Sequence, residues 1–148
     1  MSDHRYEAQL SWQRAADETF TDQRYSRRHE LRFDGGAVIA ASSAVSSVPL
    51  PWSDPSAIDP EEMLVASIAS CHMLWFLSLA AKAGHVVDGY SDAAEGVMTK
   101  NADGKLWVSL VTLRPKVRFA EGRSPTAEAL DALMRGRALM NGATGLGE

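Results

Sequence analysis

Hydrophobic and polar positions alternate along residues 4–14 (HRYEAQLSWQR), which places Tyr6, Ala8, Leu10 and Trp12 on one side of a half-buried strand. Residues 26–33 (SRRHELRF) alternate again, and Asp34-Gly35-Gly36 reads as a turn into a third strand, AVIAAS. Between residues 46 and 60 the pattern stops; four of the six prolines fall there, so an irregular connection is expected. The next signal has another period. Met63 to Ala81 carries no charged residue and predicts one long helix, with Asp59 as N-cap, Pro60 at N1 and Glu62 completing a D-x-x-E capping box. Gly84 suits the position just past its end. Residues 86–100 and 105–119 predict two long strands joined by the Asn101-Ala102-Asp103-Gly104 turn, and a shorter helical pattern begins near Thr126. The order βββ–α–ββ–α predicts an α+β fold: an antiparallel sheet packed on a long central helix.

That helix is apolar on nearly all sides, and such a helix is normally covered by protein on nearly all sides. A chain of 148 residues, read as one domain from end to end, has difficulty surrounding it alone. A homodimer with both copies of the helix at its centre is therefore expected. The uncharged run also reaches the lower length limit of a membrane span. Ser67, Ser70, Cys71, His72 and Ser78 interrupt it and its leading flank is acidic, so no membrane partner is expected.

Charge and cysteine content narrow the setting. A formal net charge of −4 argues against nucleic-acid binding, which needs a strongly basic surface. The opening MSDHRYEAQL lacks the apolar run of a secretory signal. A single cysteine cannot form an internal disulfide, which points to a reducing, cytoplasmic setting. His4, His29, His72 and His85 have no metal-ligand spacing, so neither a metal nor a bound cofactor is expected.

The candidate chemistry centres on Cys71. Free cysteine often packs as a small hydrophobe, and that reading competes with a nucleophilic one. A useful thiol needs its thiolate stabilised, usually by a nearby cation or a helix N-terminus, and Cys71 lies mid-helix. His72 projects about 100° away around the helix and reads as a packed core histidine. The strand SRRHELRF offers a cation: the parity that turns Leu31 and Phe33 inward turns Arg27 and His29 inward too, leaving Arg28, Glu30 and Arg32 to water. An inward arginine needs an anionic partner, for which a thiolate or a carboxylate would serve. Glu61 lies ten residues before Cys71, about 15 Å along the helix, and could approach a Cys71 only across an antiparallel helix pair.

The stretch DPEEMLVASIASCHMLWFLSLAAKAG resembles the central helix of the OsmC/Ohr family, with its N/D-P-E-x-L…C pattern. RYSRRHELRFDGG, PWSDPSAIDPEE, SDAAEGV and NADGKL are similar to the OsmC-like branch, so the resemblance covers about residues 4–131. It implies an intertwined homodimer with paired central helices that reduces organic hydroperoxides through a peroxidatic cysteine, an arginine and a glutamate. By position these are Cys71, Arg27 (with Arg24 and Arg28 as neighbours that could replace it) and Glu61. Trp52 and Trp75 are candidates for an apolar substrate pocket. The family places a resolving cysteine in its last helix, commonly in H-E-x-C-F/Y-I-A-N-S, followed by a final strand. Here residues 132–148 are atypical and hold no second cysteine. The expected function is thus a thiol-dependent peroxidase of oxidative-stress defence, impaired or one-cysteine, served by an external thiol or dithiol. The alternative is a catalytically degenerate dimer that binds small apolar ligands; a cysteine hydrolase comes third, since no histidine is placed as base. A reading-frame shift near Asp131–Met134 would account for the tail, because LMNGA can hide His-Glu-Arg-Cys in another frame.

Overall fold

The structure, a computed structural model, describes residues 3–135. The expectations about the missing resolving cysteine, the final strand and the shifted frame concern the tail, which from residue 136 lies outside the described residues. Strands β1 (Ala8–Ser11), β2 (His29–Phe33) and β3 (Val38–Ala41) precede helix α1 (Pro60–Lys82). Strands β4 (Val87–Asp92), β5 (Glu95–Lys100), β6 (Leu106–Thr112) and β7 (Pro115–Phe119) follow, then helix α2 (Ala127–Arg135). This is the α+β fold expected, with antiparallel pairing in every ladder. The chain divides at Leu64–Val65, inside α1, into two compact units.

In the first unit β1, β2 and β3 form one sheet in that order. The parity of β2 is as its sequence suggests: Leu31 is buried, Arg27, His29 and Phe33 are half-buried, and Arg28, Glu30 and Arg32 are exposed. β1 departs from expectation. It pairs Leu10 with Leu31, yet all its residues are exposed, and Tyr6 and Leu10 stand 92% and 70% open. The reason is its place as an edge strand with only β2 beside it. The proline-rich connection is tied back to β3: the Ile58 N–H donates to the Ala40 carbonyl at 3.0 Å, and the Ser42 N–H to the Ile58 carbonyl at 3.1 Å. Buried Ser42 accepts the Asp54 N–H at 3.0 Å, and Arg28 pairs with the Asp54 carboxylate, so the segment entering α1 is held along its length.

Both ends of α1 are closed as the sequence foretold. The Glu62 N–H donates to Asp59 Oδ1 at 2.7 Å while the Asp59 N–H donates to Glu62 Oε2 at 3.1 Å, satisfying two orphan donors reciprocally. At the other end Gly84 takes φ +82°, where a Cβ is unfavourable. The His85 N–H then reaches the Ala80 carbonyl and the Gly84 N–H the Ala81 carbonyl, the paired bonds of a Schellman stop.

In the second unit the buried positions of α1 are His72, Phe76 and Ala80, a stripe at spacing four. Leu74 and Trp75 remain 60% and 48% exposed. By length and composition alone α1 could cross a membrane, but its stripe packs on protein: the Phe76 ring lies 5.7 Å from that of Tyr90 on β4. Gly96 on β5 lets the ribbon close on the helix, because a Cβ there would sit 2.6 Å from Val65 Cγ2.

The two long strands expected after α1 are each interrupted. β4 pairs with β7 and β5 with β6, with breaks at Ala93-Ala94 and Leu113-Arg114. Arg114 fills the gap: its N–H donates to Asp92 Oδ1 at 2.7 Å, Nη1 to the Ala93 carbonyl at 3.2 Å, and Nη2 to Glu95 at 2.7 Å. Thr126 caps α2 through the Ala129 N–H.

Candidate functional site

Arg27 stands just before β2 and is fixed from several directions. Its N–H donates to the Trp52 carbonyl at 2.8 Å, anchoring the backbone to the proline-rich connection. The guanidinium donates through Nη1 to the carbonyls of Gln23 at 2.8 Å and Tyr25 at 2.5 Å, and through Nη2 to Gln23 Oε1 at 3.0 Å. Its carbon lies 3.6 Å from the centre of the Tyr25 ring, a cation–π contact. Gln23 reaches Arg27 from a left-handed conformation, φ +66°, which costs a non-glycine residue about 1–2 kcal/mol. These partners are neutral. Among the described residues no carboxylate forms an ion pair with Arg27.

Beside the guanidinium is a cavity of about 400 Å³ lined by Trp12, Phe20, Tyr25, Arg27, His29, Ser42, Ser43 and Pro60. Trp12, Phe20 and Tyr25 form its aromatic wall: Phe20 stacks on Tyr25 at 4.6 Å and Trp12 meets Tyr25 edge-on at 5.6 Å. The Trp12 indole N–H is satisfied by the Ser26 carbonyl at 2.8 Å, and His29 Nδ1 donates to the Arg27 carbonyl at 2.8 Å. The sequence pattern places Trp12 and His29 on inward faces but gives no role to Phe20 or Tyr25. Those two lie in a stretch without period, where no pattern marks a side chain's direction. The pocket candidates Trp52 and Trp75 are not among the lining residues: Trp52 contributes its backbone carbonyl to Arg27, and Trp75 stands outward on α1.

Cys71 is a free, half-buried thiol at the middle of α1. Glu61 is half-buried in the first turn of the same helix. His72 is the core histidine expected, 6% exposed, with Nδ1 2.9 Å from the Tyr90 hydroxyl. Burial, and then the charge of Asp92, push the Tyr90 phenol above its ordinary value, so it remains protonated as a hydrogen-bonding partner.

The model of the family described as OsmC-like protein matches residues 53–137, a stretch that holds Glu61 and Cys71. An OsmC-like protein of unknown function from Vibrio cholerae is 44% identical, with a TM-score of 0.86 over 91% of this chain and 86% of that one. This chain belongs to the OsmC-like family. Two more distant structures share its fold alone. An organic hydroperoxide resistance protein from Elizabethkingia anophelis is 12% identical (TM-score 0.64, 90% of this chain and 81% of that one). An OsmC-like protein from Mycoplasma pneumoniae is also 12% identical (TM-score 0.65, 91% and 81%). None of the curated proteins matches the sequence. In this OsmC-like chain Arg27 borders the aromatic cavity.

Proposed function

We propose that this OsmC-like chain is a thiol-dependent peroxidase that reduces organic hydroperoxides through Cys71. The observation that carries the reading is the chain's only thiol, half-buried at the centre of a doubly capped apolar helix, in a member of this family. The name of the Elizabethkingia neighbour points the same way. In this reading the Cys71 thiolate attacks the outer oxygen of R–O–O–H. The S–O bond forms as the O–O bond breaks, RO⁻ leaves and takes a proton as ROH, and Cys71 becomes a sulfenic acid. An external dithiol reduces it: the first sulfur displaces water to give a mixed disulfide, and the second releases the Cys71 thiol and leaves as a disulfide. Arg27 is assigned the positive charge that favours thiolate and leaving oxygen, and Glu61, which makes no ion pair with it in the single chain, the carboxylate that orients it in the dimer. The working unit is a cytoplasmic homodimer, motivated by the open Leu74 and Trp75 of α1.

The test is turnover of cumene hydroperoxide with excess dithiothreitol, together with dimedone trapping. The wild type should consume peroxide and give one labelled sulfenate at Cys71; Cys71→Ser should do neither, and Arg27→Ala should slow labelling at least tenfold. Absence of both turnover and labelling in the wild type would refute the proposal. The second reading, a catalytically silent binder of small apolar ligands, draws on the aromatic cavity, whose wall does not depend on the thiol.

A further inference from the structure

The cavity of the first unit combines three properties, and of these only the charge of Arg27 is also used by the peroxidase reading. Its wall consists of three aromatic rings already packed against one another, one pair edge-on, one tilted and one stacked, within the centroid distances at which aromatic pairs attract. A fourth ring can join such a cluster in the same manner. The second property is charge. A guanidinium has five N–H groups; Nη1 of Arg27 uses two and Nη2 one, which leaves two, and no carboxylate neutralises it among the described residues. The third is an orphan hydroxyl. Ser43 Oγ is buried and has no hydrogen-bond partner among the described residues, although Ser43 lines the cavity.

We infer that this cavity is a binding site for a small aromatic carboxylate, its ring against Trp12, Phe20 and Tyr25 and its carboxylate against Arg27 and Ser43. The remaining guanidinium donors suit a planar carboxylate, and charge-assisted bonds are the strong ones. The Ser43 hydroxyl gains in the bound anion the acceptor it otherwise lacks. A volume of about 400 Å³ lies in the range of small-molecule pockets. Gln23, held in its left-handed conformation, keeps the guanidinium over Tyr25 before any ligand arrives, so little ordering is left for binding. The inference shares Arg27 with the proposed peroxidase site but takes nothing from the chemistry of Cys71.

The experiment uses the full 148-residue chain carrying Cys71→Ser, which removes any peroxide chemistry from the outcome. Benzoate, cyclohexanecarboxylate and benzyl alcohol are titrated into the isotopically labelled protein while the Trp12 indole N–H signal is followed. Benzoate should shift that signal saturably and bind at least fivefold more tightly than either comparator, the first lacking the aromatic ring and the second the charge. Arg27→Gln and Ser43→Ala, introduced separately into well-dispersed, folded protein, should each weaken benzoate at least threefold and change benzyl alcohol less than twofold. Equal affinity for the three probes, an unmoved Trp12 signal, or benzoate binding indifferent to both substitutions would overturn it. If benzoate behaves as expected and the wild type still fails to reduce hydroperoxides, this site stands and the peroxidase reading falls.

Discussion

His72 on α1 and Tyr90 on β4 share a hydrogen bond of 2.9 Å between an imidazole nitrogen and a phenol oxygen, one residue along the helix from the only thiol. Tyr90→Phe keeps the ring contact with Phe76 and deletes only the hydroxyl. Stability should fall by about 1–2 kcal/mol in urea unfolding, since a buried group loses a partner. A pH effect should accompany it. The folded phenol titrates above its ordinary value of 10.0, so above that pH the unfolded chain loses the proton first. The stabilisation is therefore complete below pH 10 and declines as pH rises through the higher folded value. Urea midpoints at pH 8 and above 10 should separate in the wild type and separate less in Tyr90→Phe.

Gly96→Ala tests the closeness of helix and ribbon. The added methyl would meet Val65 Cγ2 at 2.6 Å, and crowding of this kind costs about 1–3 kcal/mol. Val65→Ala made in the same chain should recover more than half of the loss. Independent, additive effects in the double-mutant cycle would contradict the contact.

The loop that presents Gln23 to Arg27 should loosen in acid. Asp22 accepts the Thr19 hydroxyl at 2.7 Å and the Arg24 N–H at 3.1 Å, and these bonds, the hydroxyl first, hold its carboxyl below the ordinary 3.8. A lowered folded value means the contribution is present above pH 3.8 and is lost as pH falls through that lower value. Tryptophan emission should change on acidification below about pH 4, and Asp22→Ala should show the altered emission already at pH 7. A flat profile in the wild type argues against a structural part for Asp22.

Light scattering at micromolar concentration should give twice the mass of the chain. Leu74→Glu places a charge on the open side of α1 and should shift the population towards single chains, while Leu106→Glu, at a site 62% exposed on the ribbon, should not. A wild-type monomer would end the dimer proposal.

What was legible in the sequence was local. The capping box at Asp59 and Glu62 and the stop at Gly84 depend on residues within five positions of each other, and the parity of β2 on a period of two. The interrupted ribbon was only half legible: Pro115, which follows Leu113-Arg114 and opens β7, is a strand breaker, but Ala93-Ala94 contains none, and there the gap is filled by Arg114 reaching residues about twenty positions away. The aromatic wall escaped for a related reason. Phe20 and Tyr25 are brought to Trp12 by turns around Thr19, Asp22 and Gln23, whose folding no hydrophobic period records. The strand parity marks Arg27 as inward and the structure has it half-buried, but its partners are carbonyls and a ring face, which leave no charge signature in a sequence.

The Arg114 clamp divides the ribbon after α1 into two ladders whose registers are counted separately. An insertion or deletion near the Asn101–Gly104 turn slides β5 against β6 and stops at the clamp; β4 and β7 keep their alignment, with Tyr90 opposite Val117. The tip of the ribbon is therefore free to vary in length over evolutionary time without disturbing the residue that holds His72 in place.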